Sequence, residues 1–593
     1  MRSEVTFLGT VRRVVGARVL VELSPALPSS IPIIEGRSYR VGQIGSFVRI
    51  PLGFLNLYGI VSMVGASEVP QSEVHGQLPP AGQRWLEVQL VGESYGRRDF
   101  QRGVSLFPTL EDEVHIVTEH DLTVIYGERG PGQIQLGSHA TSANLPATVS
   151  LDKLVTRHAA VIGSTGSGKS NAIACLLKAL TEGNYPSARV VVVDPHGEYR
   201  AAFQDRARVF SIGGSVDRLV VPYWALSFDE LAWFLIDRRQ ASESLQESAI
   251  RAYMSSEKQR RCSDLKAGLV DPNSITADAP IPFGLRELWY HFDRQERVTY
   301  KDMGRTDEAL LEEGNAATLS PARFEPPGVG STPPYKPNPG TTLNMGSNLN
   351  KILARLKDKR FEFLLDPGRY NGSDLDLDDL LRSWIDHGTA ITVLDLGGVP
   401  SDVMDLIVGV ITRILFESMF WGRSLEGTGR QRPLLLVYEE AHSYLPRKSG
   451  EQFVAGYAAR AVRRVFKEGR KYGVGAVVVS QRPSELDETV LSQCGTFFTL
   501  RLSNSDDQSR VRSVMPDSLA GMVELLPALR TGEALVIGEA VVLPTRIRLP
   551  LTEPRPKSSD PEVHVAWSKE RKEDVQYSAA LTDWRRQGLK HEN

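Results

Sequence analysis

Residues 158–170 decide the fold of this chain, and they read His158-Ala-Ala-Val-Ile-Gly163-Ser-Thr-Gly-Ser-Gly168-Lys169-Ser170. A short apolar run of strand length leads directly into the pattern GxxxxGK[ST]. Apolar side chains then recur at helical spacing, at Ile173, Leu176, Leu177 and Leu180. A strand, a glycine-rich turn and a helix in this order predict the phosphate-binding loop of a P-loop NTPase.

This glycine-rich turn predicts a site for a nucleoside triphosphate. Glycine lets the main chain approach phosphate oxygens closely, so that successive N–H groups and the helix N-terminus face the negative charge. The Lys169 amine would reach the β- and γ-phosphates, and the Ser170 hydroxyl would bind Mg²⁺. The nucleotide contacts that we predict are Gly163, Thr165, Gly166, Ser167, Gly168, Lys169, Ser170 and Asn171.

Further apolar runs follow this motif, and they are continuous rather than alternating. Strands of a parallel sheet need such runs because helices cover both of their faces. Helical patterns separate the runs, as at Val403, Leu406, Ile407, Val410 and Ile414. The sequence predicts an α/β fold with a mainly parallel sheet, and its further strands are Arg189–Asp194, Ala390–Leu396, Leu434–Glu439, Gly475–Ser480 and Phe497–Leu502.

Changes in composition and in the spacing of apolar residues divide the chain into five segments. Short Val- and Gly-rich strands predict a small N-terminal antiparallel barrel or sandwich, of which we expect the barrel. Ser227-Phe-Asp-Glu230 is a capping box that opens a helical insertion. Within that insertion, 320–347 is rich in Pro and Gly and predicts a loop. The predicted segments are 1–140 (barrel), 141–225 (first part of the core), 226–388 (helical insertion), 389–552 (second part of the core) and 553–593 (C-terminal arm).

An acidic pair, Glu439 and Glu440, ends the apolar run that begins at Leu434. Carboxylates at the carboxyl end of a buried strand are placed to handle Mg²⁺ and the attacking water. We predict that Glu439 binds the metal, directly or through water, and that Glu440 polarises the water. A metabolic kinase does not need the second glutamate, so the pair favours hydrolysis. Asp194 ends another strand at the same edge and would support the water or the metal.

Two later residues are candidates for sensing or neutralising the γ-phosphate. Gln481 follows the strand Gly475–Ser480, where it would contact the γ-phosphate or orient the water. Arg470 lies in a basic helical stretch and is a candidate arginine finger, in its own subunit or in a neighbour's. The same stretch also fits a solvated face or a surface toward nucleic acid, and spacing does not separate these roles.

Composition limits the class of protein. The 593 residues carry 69 Lys and Arg against 72 Asp and Glu, a formal net charge of −3, which excludes binding of nucleic acid by bulk basicity but not a local basic groove. The three cysteines form no CxxC pair and no disulfide framework, which indicates a reducing compartment. Neither a signal peptide nor an apolar stretch of membrane-spanning length is apparent, so we expect a cytoplasmic protein without membrane segments.

Four stretches together carry a resemblance to a known family. They read GSTGSGKS from Gly163, VVVVDPHGEY from Val190, LLLVYEEAHSYLP from Leu434 and FKEGRKYGVGAVVVSQRPSELD from Phe466. With a β-rich N-terminal segment and a helical insertion after the second strand, the chain resembles the HerA branch of the HerA/FtsK ring ATPases. The resemblance covers the chain to about residue 550, and the EEAH and SQRPS stretches are its specific part.

The resemblance implies a RecA-like ATPase core in a homohexamer that hydrolyses ATP between subunits and moves double-stranded DNA through a central pore. It gives Lys169 and Ser170 to the nucleotide and Mg²⁺, Glu439 to Mg²⁺, and Glu440 to catalysis. It also makes Gln481 a sensor and Arg470 a finger, with Arg463 or Arg464 as alternatives. A partner effector, a nuclease or a sirtuin-like NADase, would dock on the barrel, in DNA end processing or anti-phage defence.

Two other functions stay open from the sequence. A ring-shaped scaffold would use its ATPase to gate an effector enzyme with little translocation. A secretion-coupling ATPase of the same superfamily fits less well, because such proteins usually carry membrane helices.

Overall fold

A computed structural model gives the structure of the chain. It describes residues 6–25, 33–34, 37–38, 42–66, 84–96, 98–127, 130–140, 144–214, 216–237, 243–265, 271–329, 332–338, 342–447, 456–515, 520–557, 563–569 and 577–586. Within these ranges, no helix combines the length and the apolar character that crossing a membrane requires.

The N-terminal segment forms a closed antiparallel barrel. Its six strands follow the order β2-β1-β9-β5-β6-β7, β7 pairs back to β2, and β8 extends the sheet beyond β7. Side chains that point inward are fully buried, among them Val11, Val21, Ile50, Leu57 and Val88. The strands of this segment are β1 (Phe7–Val15), β2 (Arg18–Leu23), β3 (Ile33–Ile34), β4 (Arg37–Ser38), β5 (Phe47–Leu52), β6 (Leu55–Ala66), β7 (Arg84–Tyr95), β8 (Arg98–Arg102) and β9 (Glu113–Ile116).

The core is built on one sheet of eleven strands in the order β11-β10-β22-β21-β20-β12-β19-β18-β13-β17-β14. From β20 to β14 all neighbouring strands run parallel, and the four strands at the other end pair antiparallel. These strands are β10 (Gln133–His139), β11 (Pro146–Ser150), β12 (Ala159–Ile162), β13 (Val190–Asp194), β14 (Ala207–Ser211), β17 (Ile391–Asp395), β18 (Leu434–Tyr438), β19 (Val474–Ser480), β20 (Thr496–Thr499), β21 (Glu533–Gly538) and β22 (Thr545–Arg548).

Helices cover both faces of the sheet, as the continuous apolar runs predict. On β13, Val191 and Val193 face the cluster that the insertion shares with the large helices, whereas Val190 and Val192 face the helix after the glycine-rich loop. The helices of the core are α2 (Leu151–Thr156), α3 (Lys169–Glu182), α4 (Arg200–Phe203), α11 (Met404–Trp421), α12 (Tyr457–Tyr472), α13 (Glu488–Ser492), α14 (Ser505–Val514) and α15 (Ala520–Val523). The predicted α/β class, with its barrel, parallel sheet and insertion, is confirmed.

Helices dominate the segment 226–388. Ser227 caps α5 with the predicted box, since its hydroxyl accepts from the Glu230 N–H and the Glu230 carboxylate accepts from the Ser227 N–H. The helical stripe predicted for 350–365 is divided, because Asp358 interrupts it with an extended backbone. The elements of this segment are α5 (Phe228–Ile236), α6 (Leu245–Arg261), α7 (Leu285–Arg297), β15 (Leu310–Glu312), β16 (Arg323–Phe324), α8 (Gly346–Lys357), α9 (Glu362–Leu365) and α10 (Leu377–Ile385).

Some elements differ from the sequence-based expectation. β10 lies within 1–140 but pairs in the large sheet, next to β22. β14 adds an unpredicted parallel strand at the far edge, beside β17. Three further helices belong neither to the core nor to the insertion. α1 (Glu119–Tyr126) follows the barrel, and α16 (Val563–Trp567) and α17 (Tyr577–Arg586) lie in the C-terminal arm.

Candidate nucleotide site

The glycine-rich loop lies between the carboxyl end of β12 and the first turn of α3. Gly166 and Gly168 have φ of +70° and +105°, values that favour glycine. A Cβ on Gly163 would lie 2.5 Å from the Ser167 Oγ and 2.8 Å from the Leu500 Cβ. Two glycines are therefore required by backbone conformation and a third by close packing.

Main-chain contacts from two other segments hold this loop in place. The N–H and the hydroxyl of Ser164 both donate to the Arg501 carbonyl, at 2.9 and 3.0 Å. The Gly532 N–H donates to the Ser167 carbonyl at 3.1 Å. The Ser167 Oγ is buried and has no hydrogen-bond partner within the described structure. The loop is thus shaped before any phosphate binds.

Lys169 and Ser170 begin α3 and face acidic side chains. The Lys169 amine is buried and donates to the Ser164 carbonyl at 3.2 Å. Burial lowers the pKa of Lys169, and the nearby Glu440, Glu439 and Glu198 carboxylates oppose that shift. The Ser170 hydroxyl donates to Glu198 Oε2 at 2.7 Å. An amine and a hydroxyl are therefore available where phosphate and a divalent cation would bind.

Glu439 follows β18 and is 5% exposed. The Tyr199 hydroxyl donates to its Oε1, and the Tyr444 hydroxyl donates to its main-chain carbonyl at 2.6 Å. Burial raises the pKa of Glu439 to about 8, although the Tyr199 hydrogen bond acts in the opposite direction. A cation near this carboxylate would stabilise its charged form.

Asp194 ends β13, which pairs with β18, and is 1% exposed. Its carboxylate accepts three main-chain N–H groups, from His196 at 3.2 Å, Gly197 at 2.9 Å and Tyr199 at 3.1 Å. Burial raises the pKa of Asp194 to about 6. Because Asp194 fixes the turn that presents Tyr199, it supports the Glu439 carboxylate from behind.

Glu440 differs from its neighbour in backbone and in surroundings. It has φ of +46° and ψ of +42°, the left-handed conformation that costs a non-glycine residue about 1 kcal/mol or more. Its Oε2 is buried and makes no hydrogen bond within the described structure. The His442 Nδ1 lies 3.2 Å away, within ion-pair distance but without hydrogen-bond alignment. A strained backbone and an unsatisfied carboxylate are typical of a catalytic position.

Gln481 is brought to the phosphate loop. It follows β19, which lies beside β12, and its Oε1 accepts from the Thr165 hydroxyl at 2.6 Å. Thr165 and Gln481 are 316 residues apart in sequence. The contact places the predicted sensor directly against the loop that would hold the γ-phosphate.

The three finger candidates lie on α12 and have different partners. Arg463 donates to the buried Asp487 carboxylate, with Nε at 3.0 Å, and Arg464 pairs with Glu417. Arg470 is exposed, and within the described ranges no ion pair holds it. It lies just before the amino end of β19, whereas the phosphate loop follows the carboxyl end of β12. Its own chain's site is therefore at the opposite edge of the sheet.

Asn171, predicted as a nucleotide contact, directs its side chain elsewhere. Its Oδ1 accepts from the Thr552 N–H and hydroxyl, both at 2.9 Å, and its Nδ2 donates to the Pro550 carbonyl at 2.9 Å. The Lys557 N–H donates to the Glu198 carbonyl at 2.9 Å. The start of the C-terminal arm thus crosses the first turns of α3.

The residues present fit a magnesium–nucleotide complex. The fit rests on the buried Ser167 Oγ and Glu440 Oε2, which have no hydrogen-bond partner among the described residues. It also rests on the Ser170 hydroxyl and the Glu439 carboxylate at the same sheet edge. Sequence reasoning assigned no role to Glu198, Tyr199 or His442. The stretches DPHGEY and EEAH contained them, but their partners become apparent only from the fold.

Comparison with known proteins finds helicases among the proteins similar to this chain. Residues 134–415 match the family model described as the central domain of the helicase HerA. The chain is 24% identical over 479 residues to the DNA double-strand break repair helicase HerA of Sulfolobus acidocaldarius, covering 80% of each chain. Residues 134–415 therefore resemble a HerA central domain. The HerA of Saccharolobus solfataricus is 27% identical over 453 residues, with 76% of this chain and 75% of that one covered.

Two solved structures also show a likeness to this chain. The bacterial conjugative coupling protein TrwB has a TM-score of 0.41 and 17% identity, over 75% of this chain and 94% of that one. VirB4 of Thermoanaerobacter pseudethanolicus has a TM-score of 0.42 and 16% identity, over 72% and 97%.

Proposed function

We propose that this protein is a HerA-type ATP-hydrolysing motor that moves double-stranded DNA. The observation that carries the proposal is the convergence at one sheet edge of Lys169, Gln481 and the unsatisfied Glu440 carboxylate. A phosphate loop with a water-activating carboxylate is the chemistry of hydrolysis rather than of phosphoryl transfer to a second substrate. The relatives named DNA double-strand break repair helicase support DNA as the polymer.

Each residue has a defined part in hydrolysis. The N–H groups of the loop and the Lys169 amine bind the phosphates of ATP and neutralise their charge. Glu440 accepts a proton from the water that attacks the γ-phosphorus, while the Gln481 amide holds that water and reports whether the γ-phosphate is present. Asp194 acts indirectly, since it orients the turn that bears Tyr199.

Ser170 and Glu439 would hold Mg²⁺ when the nucleotide is bound. The ion supplies charge neutralisation at the β- and γ-phosphate oxygens. Ser170 would give up its hydrogen bond to Glu198, and Glu439 would be held in its charged form. Tyr199 keeps the Glu439 carboxylate in one orientation, as outer partners of metal ligands do.

The proposed assembly is a homohexamer with active sites between subunits. Arg470 supports this assembly, because it is exposed and lies at the sheet edge opposite to the nucleotide site of its own chain. A neighbouring subunit would insert this guanidinium as an arginine finger. DNA would pass through the central pore, where basic side chains need line only the inner surface.

We further propose that an effector enzyme docks on the barrel. The segment between β8 and β9 exposes Leu106, Phe107 and Leu110, which are 57%, 51% and 64% exposed. Exposed apolar side chains that lie close together are typical of protein interfaces. A nuclease or a sirtuin-like NADase is the proposed effector, in DNA end processing or anti-phage defence.

ATP turnover with and without linear duplex DNA tests the enzymatic part of the proposal. We expect duplex DNA to stimulate turnover, and Lys169→Ala to abolish it through lost phosphate binding. Glu440→Gln should abolish turnover but retain nucleotide binding, because the amide keeps the shape without the proton acceptor. Lys178→Ala, an exposed change on the same helix, is the control and should turn over normally. Turnover that survives Glu440→Gln would rule out this mechanism.

A further inference from the structure

We propose that His442 is a positioning residue that holds the Glu440 carboxylate and connects it to the strand end bearing Gln481. The inference rests on the proposed function, because it assigns Glu440 to the attacking water. His442 itself touches neither the nucleotide nor the water in this proposal.

The position of His442 connects two parts of the site. It lies in the short helical turn Ala441–Ser443 that follows the acidic pair. Its Nδ1 is 3.2 Å from Glu440 Oε2 and 3.5 Å from the Ser480 Oγ. The imidazole therefore lies between the carboxylate and the last residue of β19, which immediately precedes Gln481.

Ser480 is itself bound to the phosphate loop. It is fully buried, its carbonyl accepts the Gly163 N–H at 3.3 Å, and its Oγ accepts the Arg482 N–H at 3.1 Å. A displacement of the carboxyl end of β19 would therefore shift both the phosphate loop and the imidazole beside Glu440. These contacts form a continuous path from Gly163 through Ser480 and His442 to Glu440.

Glu440 needs such a neighbour because its own surroundings leave it unsupported. A left-handed backbone presents the side chain, and its Oε2 is buried without a hydrogen bond in the described structure. A buried acceptor left unpaired destabilises the structure. A small rotation of the imidazole would let Nδ1–H donate to Oε2, since a carboxylate can only accept. Glu440 would then keep its other oxygen for the water.

The charges around His442 suit a neutral imidazole that donates from Nδ1. Burial lowers the pKa of His442, while Glu440 and Glu485 raise it and Arg482 and Lys169 lower it. A neutral ring has one donor and one acceptor, and the Glu440 carboxylate selects the tautomer with the proton on Nδ1.

The test compares three variants of the full-length protein in DNA-stimulated ATP turnover. In His442→Ala we expect kcat to fall about 10–100-fold, the range seen when an outer partner of a catalytic group is removed. The KM for ATP, the affinity for a fluorescent ATP analogue and the melting temperature should stay unchanged, because the loop and Lys169 are intact.

The variants His442→Asn and His442→Gln provide the discriminating comparison. The amide of His442→Asn lies near the Nδ1 position and should restore most of the lost kcat, whereas the amide of His442→Gln lies near Nε2 and should not.

Three results would overturn the inference. They are a kcat for His442→Ala within twofold of the wild type, equal activity of the Asn and Gln variants, or a loss of kcat matched by a loss of melting temperature. The proposed function fails separately, if Glu440→Gln itself still turns over ATP.

Discussion

At the scale of single residues, two consecutive glutamates have different environments. Glu439 is buried, accepts a hydrogen bond from Tyr199 and has a raised pKa. Glu440 has a left-handed backbone and a buried oxygen that is not hydrogen-bonded in the described structure. The sequence predicted different roles for the pair, whereas the physical difference between them depends on Tyr199, 240 residues away from Glu439.

His158 makes stability depend on pH. It is buried with φ of +54°, its Nδ1 accepts from the Ala476 N–H, and burial lowers its pKa to about 4. Between pH 6.5 and about 4 the unfolded imidazole takes up a proton that the folded one does not, so stability falls as pH falls. The expected loss at pH 5 is about 2 kcal/mol.

His158→Asn should remove that part of the pH dependence. Asparagine tolerates the left-handed backbone and offers an acceptor near the Nδ1 position without titrating. The melting temperature should therefore fall less between pH 7.5 and pH 5 in the variant than in the wild type. His139, also buried with a pKa near 4, leaves some dependence in both proteins. An equal fall in both would contradict the assignment.

Substitutions of the three arginines of α12 should have different effects, some on stability and one on ATP turnover. Arg463→Ala leaves the buried Asp487 unpaired and should cost about 3–5 kcal/mol, measured as a lower melting temperature. Arg464→Ala, which loses a partly exposed ion pair with Glu417, should cost about 1 kcal/mol or less from that pair.

Arg470→Ala should leave the melting temperature unchanged and lower ATP turnover about 1,000-fold or more, as removal of an arginine finger does. Mixing it with Lys169→Ala subunits should restore some turnover, since each variant supplies what the other lacks. Normal turnover of Arg470→Ala would assign the finger elsewhere.

At the scale of elements, the parallel strands were predictable and the edge strands were not. Val190–Asp194 is a continuous apolar run because both of its faces are covered. β14 carries Arg208 in a five-residue strand at the sheet edge, so it lacks that signal. β10, β21 and β22 pair antiparallel, so the pattern expected of parallel-sheet strands does not predict them.

The C-terminal arm is joined to α3, and this contact yields a prediction. Asn171→Ala removes hydrogen bonds to Pro550 and Thr552 and should increase hydrogen exchange across 549–557. Lys178→Ala removes only the exposed contact with the Glu553 carbonyl and should leave exchange nearly unchanged, which makes it the matched control. Equal exchange in both variants would show that Asn171 does not hold the arm.

At the scale of the whole molecule, Arg102 joins the barrel to the core. It ends β8 and donates to the carbonyls of Gly538, Val541 and Val542. An open pocket of about 410 Å³ lies beside it, between β7 and the strands β20 and β21. Apolar contacts also join the two units, since Ile60 packs in the main core cluster and Tyr58 packs with Leu543. Arg102 thus adds charged hydrogen bonds to a junction that is otherwise largely apolar.

Arg102→Ala should loosen this junction. The loss of charged hydrogen bonds is worth about 1–3 kcal/mol, so unfolding should become less cooperative and the barrel should melt at a lower temperature than the core. In differential scanning calorimetry, the melting transitions of the barrel and of the core should lie further apart in the variant than in the wild type. Arg12→Ala, which removes ion pairs within the barrel alone, should not separate them. An unchanged thermogram for Arg102→Ala would exclude this role.

The net charge of −3 is compatible with the proposed motor. The proposed ring would need positive charge only along its inner surface, so a near-neutral average does not argue against DNA in its pore. ATP hydrolysis alone does not separate a motor from a scaffold that gates an effector.

ATP-driven displacement of a third strand from a DNA triplex tests the central claim most directly, because only movement along the duplex removes that strand. We predict displacement by the wild type that requires ATP and is absent in Glu440→Gln, with both proteins binding DNA equally. ATP turnover stimulated by DNA without any strand displacement would contradict the motor function and would favour the scaffold that gates an effector.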